Sequence, residues 1–365
     1  MTDLRALLEE GRRARVFSHA RAVVRLRGQT VFDDGPALAD ARFDLASVTK
    51  VMATTACLLR LSDAGRLPLD APLRRWLPEA AVDASVEDLA FHRAGLPAFR
   101  PFFAEVASRH PALFELPRQA APTLRAAVRA QVLERVCAVP AERGRCTAAV
   151  YGDLGFILLG EVLERVTGLP LDEAFAQHVA RPLGLQAGFR RLSAASPDER
   201  VVTTGGTRPR EPAPGQEGLW SCPTWPSLPG EVDDDNAWVM DGVAGHAGLF
   251  ATAEAVAAFG QAVLEGWVRP PGGFGLDATT PGSTRAFGFD TPSLDVASCG
   301  PRFGRAGPRG ALGHLGFTGT SLWVDLDRHL VVALLTNRVV HGRSNLEVRA
   351  FRPRFHEAVV DAFGG

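Results

Sequence analysis

Residues 43–65 read FDLASVTKVMATTACLLRLSDAG, and this run decides how the rest of the chain folds. From Ser47 onward it is apolar on nearly all sides, which predicts a buried helix. Gly65 suits the position just past the helix, where a left-handed residue closes the last turn. Ser47 and Lys50, three residues apart at its start, fall on one face and one turn apart. A helix N-terminus there brings positive potential and free N–H groups to where an alkoxide or oxyanion would develop. An amine buried at that point is expected to have a lowered pKa and to take the serine proton at neutral pH. The bland alternative is an N-cap serine followed by a surface lysine.

Two counts weigh against the bland alternative. The 40 Lys and Arg residues include a single lysine, Lys50, and the one tyrosine, Tyr151, stands against 21 phenylalanines. Arginine keeps its proton near neutral pH and phenylalanine has no hydroxyl. The surviving Lys and Tyr are therefore candidates for work that needs a titratable amine and a phenol. Among 14 serines, chance would put the lone lysine three residues after one of them in about 4% of placements.

Outward from this helix, residues 3–14 read as an amphipathic helix, and RAVVRLRG and QTVFDDG as a strand pair turning at Gly28-Gln29. From about 71 to 230 the pattern is helical with long loops. VEDLAFHRAGL (86–96), TLRAAVRAQVLERV (123–136) and DLGFILLGEVLERVTGLP (153–170) are the helix candidates, and the Gly-, Pro- and Trp-rich stretch 203–230 an extended loop. TSLWVDL (320–326) and HLVVALLTN (329–337) predict two strands turning at Asp327-Arg328, and residues 347–363 a closing helix. The expected class is α+β: an antiparallel sheet built from both termini and interrupted by helices. The expected division is 1–70 with 235–365 as the sheet domain, and 71–234 as a mainly helical insertion.

With 365 residues, 46% hydrophobic and 22% charged, the chain is a globular protein. A net charge of −1 gives no basic field for nucleic acid, and no stretch approaches the roughly 18 apolar residues of a membrane span. The N-terminus mixes charges without an apolar core, so no leader is expected and a cytoplasmic location is. A secreted form lacking its leader stays open. Five cysteines (Cys57, Cys137, Cys146, Cys222, Cys299) share no metal-like spacing and read as reduced thiols. The nine histidines show no zinc-binding spacing, so neither metal nor cofactor is expected. Oligomeric state is not legible.

Two further motifs complete a possible site. Tyr151-Gly152-Asp153 precedes a helix, where a phenol can relay a proton and Asp153 can serve as N-cap. Gly313-His314-Leu315-Gly316-Phe317 precedes a strand. Glycines there allow close approach of substrate, and a backbone N–H can complete an oxyanion hole with that of Ser47. His314 is a candidate for binding a substrate carboxylate or assisting proton transfer.

Together and in this order, the three motifs resemble the β-lactamase-related serine hydrolases, which include penicillin-binding proteins, serine β-lactamases and esterases. The likeness runs from about residue 20 to the C-terminus and is strongest in FDLASVTK, HRAGLP, YGDLGFILLGEVLERVTG, GVAGHAGLF and GHLGFTGTSLWVDLD. It implies an α/β sandwich with a helical domain and an active site between them. It makes Ser47 the nucleophile and Lys50 its base partner. Tyr151-Gly152-Asp153 then stands at the Tyr-x-Asn position and His314-Leu315-Gly316 at Lys-Thr-Gly, with the second oxyanion N–H on Phe317. His314 and Leu315 remove a cation and a hydroxyl that help family members hold a substrate carboxylate, which argues against efficient β-lactam or D-Ala-D-Ala cleavage. Asp153 in place of Asn favours a protonated lysine and a base shared with Tyr151.

A narrower likeness of residues 230–259 is to N-acetylmuramyl-L-alanine amidases acting on muropeptides, and it puts His246 near the cleft, with packing its commoner role. The expected function is amide or ester hydrolysis through an acyl-enzyme on Ser47, on a small-molecule or muropeptide substrate. The alternatives are a carboxylesterase and a non-catalytic sensor or scaffold.

Overall fold

The computed structural model describes residues 3–115, 122–194, 198–205, 207–208, 224–269, 273, 277, 279–292, 298–307 and 309–364. In the N-terminal part, α1 (Leu4–Arg13) leads into β1 (Ala20–Leu26), β2 (Gln29–Asp34) and β3 (Phe43–Asp44). The Ser47 helix follows, with a π-helical segment at Lys50–Thr55 continuing into α2 (Ala56–Asp63). A helical stretch comes next: α3 (Val86–Ala90), α4 (Phe102–Arg109), α5 (Ala112–Glu115), α6 (Pro122–Cys137), α7 (Leu154–Thr167) and α8 (Leu171–Phe175). Short strands β4 (Ala187–Phe189), β5 (Thr207–Arg208) and β6 (Trp225–Pro226), then α9 (Asp235–Val239), β7 (Leu249–Ala251) and α10 (Ala253–Leu264), lead back to the sheet. It is completed by β8 (Arg285–Ala286), β9 (Phe289–Asp290), β10 (Ala311–Leu315), β11 (Ser321–Asp325) and β12 (Leu330–Thr336), and α11 (Val348–Phe363) closes the chain.

The seven-stranded antiparallel sheet runs β2-β1-β12-β11-β10-β9-β8, so the two ends of the chain meet where β1 pairs with β12, Ala20 opposite Thr336 and Leu26 opposite Leu330. Alternation decides what each face buries. Val331, Ala333 and Leu335 of β12 join the large core, while Leu330, Val332 and Leu334 join a second core that includes side chains of α1 and α11. Both faces being covered explains why β12 reads as a continuous apolar run. α10 lies close on the sheet because Gly260 has no side chain; a Cβ there would stand 2.5 Å from Val331 Cγ1.

A three-stranded sheet, β3-β7-β4, sits where chemistry was expected. β3 leads directly into Ser47, and β7 follows Gly245-His246, so the pairing of Asp44 with Phe250 brings the two loops side by side.

Three local expectations need correction. The helix over 86–96 ends at Ala90, because His92 turns to φ +57° and Gly95 to +81°. The Ser47 helix is π-helical over its first turns, which periodicity does not show. Of the stretch 203–230, residues 206 and 209–223, Cys222 among them, lie outside the described residues, and its described flanks pair as β5 and β6. Among the described residues no helix is long and apolar enough to cross a membrane.

Candidate active site

The turn that carries Ser47 is clamped from three sides. Asp44 Oδ1 accepts the Ala46 N–H at 2.8 Å, and Asp44 Oδ2 accepts the Asp233 N–H at 2.5 Å. Leu45 N–H donates to the Leu249 carbonyl at 2.9 Å. From the β10–β11 turn, Thr318 and Thr320 hydroxyls donate to the Asp44 and Leu45 carbonyls at 2.7 and 3.0 Å. Ala46 sits at φ +46°, a conformation that costs a non-glycine residue energy and persists only where the surroundings impose it. Gly316 makes the approach feasible: a Cβ there would lie 1.9 Å from Thr320 Oγ1 and 2.4 Å from the Leu45 carbonyl oxygen.

Lys50 is completely buried, and its three N–H bonds all have acceptors: Ser47 Oγ at 3.0 Å, Asp153 Oδ1 at 2.8 Å and the His246 carbonyl at 3.3 Å. Burial alone would strip its charge, but the Asp153 carboxylate, joined by Tyr151, outweighs it and lifts the amine to about 12. The expectation of a lowered lysine pKa is therefore corrected, and the cause is a partner 103 residues away in sequence. Asp153 does stand at the N-cap position of α7, yet its side chain makes no capping bond there; it binds Lys50 instead.

Tyr151 is exposed into the same cleft, its ring 5.1 Å from Lys50 Nζ. His92 and His314 are in ring contact with it at centroid distances of 4.9 and 5.6 Å, and the Arg285 guanidinium stands 4.8 Å from its centroid. Gly152 lets the backbone pass the Ala98 carbonyl, which a Cβ would approach to 2.5 Å. The Gly152 N–H donates to His92 Nδ1 at 3.3 Å, leaving the His92 proton on Nε2.

His314 is 3% exposed and donates from Nδ1 to the Leu315 carbonyl at 2.8 Å. Burial, reinforced by the charges of Lys50 and Arg285, pushes its pKa well below the ordinary value, so the ring is neutral. It does not line the cleft. Neither point supports its candidate roles of binding a substrate carboxylate or assisting proton transfer. What borders the cleft from that strand is Leu315, Gly316 and Phe317. Neither the Ser47 nor the Phe317 N–H has a partner among the described residues.

His246 is buried beneath Lys50 rather than in the cleft. Its Nε2 donates to Asp234 Oδ1 at 2.9 Å, and that pairing offsets burial to hold Asp234 well below the usual carboxylate range. Donor atoms of Asp153, Asp234 and His246 lie within 4.8 Å of one another, but each group already carries a hydrogen bond, to Lys50 or within the pair. That arrangement holds a lysine and a helix cap.

All of this opens on a cleft of about 680 Å³ whose lining includes Ser47, Tyr151, Asp153, Asp234, Phe317 and four arginines. The arginines at 338, 343, 349 and 352, the clamp threonines 318 and 320, His92 and Asp234 all escaped the sequence reading. His92 had a signal in HRAGLP and Asp234 in the acidic run 233–235; the arginines were hidden among many others.

The Beta-lactamase family model matches residues 4–352. The chain is 31% identical over 323 residues to an N-acetylmuramyl-L-alanine amidase of Bacillus subtilis (strain 168), covering 81% of this chain and 68% of that one. It is 29% identical over 325 residues, covering 81% of this chain and 69% of that one, to a protein of Escherichia coli (strain K12) provisionally named D-alanyl-D-alanine carboxypeptidase. Among solved structures, EstCE1, a hydrolase with promiscuous acyltransferase activity, superposes with a TM-score of 0.67 at 20% identity, covering 96% of this chain and 97% of that one. With its sheet built from both termini and helices on both faces, the chain has the β-lactamase/transpeptidase-like α+β fold and belongs to the Beta-lactamase family of serine hydrolases.

Proposed function

We propose that Ser47 is the nucleophile of an acyl-enzyme hydrolase whose substrate is a muropeptide amide. The observation that carries this reading is the bond from a fully buried Lys50 to a serine hydroxyl in the cleft. Lys50, protonated up to about pH 12, serves as a fixed positive charge beside Ser47 Oγ. Tyr151 then relays the Ser47 proton: as Oγ attacks the carbonyl, the phenol takes that proton and passes its own to the leaving nitrogen. The N–H groups of Ser47 and Phe317 receive the oxyanion. The amine departs with that proton, and water then cleaves the acyl-enzyme, Tyr151 relaying the water proton back to Ser47 Oγ.

The muropeptide assignment draws on the amidase relative and on a cleft large enough for a sugar–peptide junction. A carboxylesterase is the second reading, favoured by the neutral His314 where the family carries a lysine. We propose further that residues 1–70 with 235–365 and residues 71–234 are the two lobes flanking the cleft. A cytoplasmic setting fits the four described cysteines, all unpaired.

The test is mass spectrometry of products from N-acetylmuramyl-L-Ala-D-Glu peptides with wild type and Ser47→Ala. Free peptide from wild type alone is the expected result. No peptide, with nitrophenyl esters still cleaved through Ser47, would replace the amidase by the esterase.

A further inference from the structure

Beyond Phe317 the cleft wall is built by the chain that follows β12, and it is rich in guanidinium groups. Arg338 donates to the Phe317 carbonyl at 2.7 Å, and Arg338 and Arg343 lie 4.3 and 4.7 Å from the Phe317 ring centroid. Arg352 is 6% exposed; its Nη2 donates to the carbonyls of Gly316 and Thr320 at 2.7 and 2.9 Å, and its Nε has no partner. Among the described residues no carboxylate pairs with it. Arg343 Nε is likewise buried without a partner. Arg349 is exposed, and its side chain makes no hydrogen bond or ion pair among the described residues. Val348, Arg349 and Arg352 belong to the N-terminal half of α11, whose dipole adds positive potential.

The acidic groups nearby do not balance this wall. Asp233 approaches Arg343 only to 4.0 Å, Asp234 is held by His246, and Asp153 by Lys50. Glu347 is exposed at the start of α11 and does not border the cleft. Burial, together with the neighbouring charges of Arg338 and Arg349, lowers Arg352 to about 9. An uncompensated buried cation is costly, and an anion arriving in the cleft relieves it. Guanidinium forks match carboxylates in two-pronged geometry.

We propose that this wall is an anion subsite that selects substrates bearing carboxylates beside the scissile bond, with Arg343 and Arg349 meeting the substrate and Arg352 as a fixed charge behind them. The inference rests on the Ser47 hydrolase reading only for the position of the scissile bond. It moves the carboxylate-binding cation from β10, where His314 is neutral, to the segment after β12.

The test is calorimetric titration of the Ser47→Ala protein, which needs no turnover, with N-acetyl-L-Ala-D-Glu, its dimethyl ester and phenyl phosphate. The diacid is expected to bind at least about tenfold more tightly than the diester, with an affinity that falls as salt rises. Adding Arg343→Gln and Arg349→Gln should remove that preference while diester binding holds, and Arg343→Lys should restore part of it. Circular dichroism checks that each variant folds. Equal affinities, no diacid binding at millimolar concentration, or a preference that survives both substitutions overturns the proposal. Tighter binding of phenyl phosphate overturns the carboxylate assignment. Arginine-dependent diacid binding without any Ser47-dependent turnover leaves the subsite standing and sinks the hydrolase reading instead.

Discussion

A single carboxylate decides the charge that stands beside Ser47. Asp153 holds Lys50 protonated, and the sign follows from the raised amine pKa. The ion pair contributes stability below about 10.5, the ordinary lysine value, and loses it as pH rises through about 12. Asp153→Asn removes the largest opposing charge and leaves burial, which lowers a lysine pKa. In a pH profile of kcat/KM on an ester from pH 6 to 11, the loss of the Lys50 cation should then begin at least about one unit lower than in wild type. An unmoved alkaline limb would mean that Asp153 does not set the charge of Lys50. Lys50→Met is the harsher change, because it strands the Asp153 carboxylate. Breaking such a pair by removing one partner costs about 3–5 kcal/mol where it is buried; since Asp153 keeps 20% of its side-chain surface, the lower end is expected in urea unfolding.

At the scale of elements, the site depends on how closely the end of β10 approaches the Ser47 turn. Gly316→Ala places a methyl group 2.4 Å from the Leu45 carbonyl, against backbone that Thr320 and Asp44 hold in place. The strand end must back away, carrying the Phe317 N–H with it. Losing one oxyanion donor costs on the order of 10²-fold in kcat. Steady-state kinetics should show that loss in kcat more than in KM; a change confined to KM would remove Phe317 from the oxyanion hole. These close approaches also mark the limit of what sequence reveals. The run 43–65, the two terminal strand groups and α7 with its Gly168 cap were legible, because each carries its own period and stop signal. The end of α3 was not, since His92 is bent by contacts from distant chain. Nor was the arginine wall, which no spacing distinguishes from solvated arginines elsewhere; the charge of Lys50, set by Asp153 across the fold, was legible only through the Asp that stands at the Tyr-x-Asn position.

At the scale of the whole molecule, the fold buries histidines that must stay neutral, and this sets its response to acid. His92 and His314 flank Tyr151 between sheet and helices, and His356 lies on the buried face of α11, its Nδ1 bonded to the Arg352 carbonyl at 2.8 Å. Burial holds His356 at about 4 and the other two well below the ordinary value. In the unfolded chain all three titrate near 6.5, so between that value and about 4 the unfolded state binds more protons than the native one. Stability from these residues is therefore full above about 6.5 and is lost as pH falls towards 4. For His356 the gap corresponds to about 3 kcal/mol at the acid end. Urea unfolding at pH 7.5, 6.5, 5.5 and 4.5 should give free energies that decline steadily, with a steeper slope than for a His356→Gln variant that folds. A flat profile between pH 7 and 5 would show that the buried rings take up protons without cost, and the neutral state of His314 would fall with it.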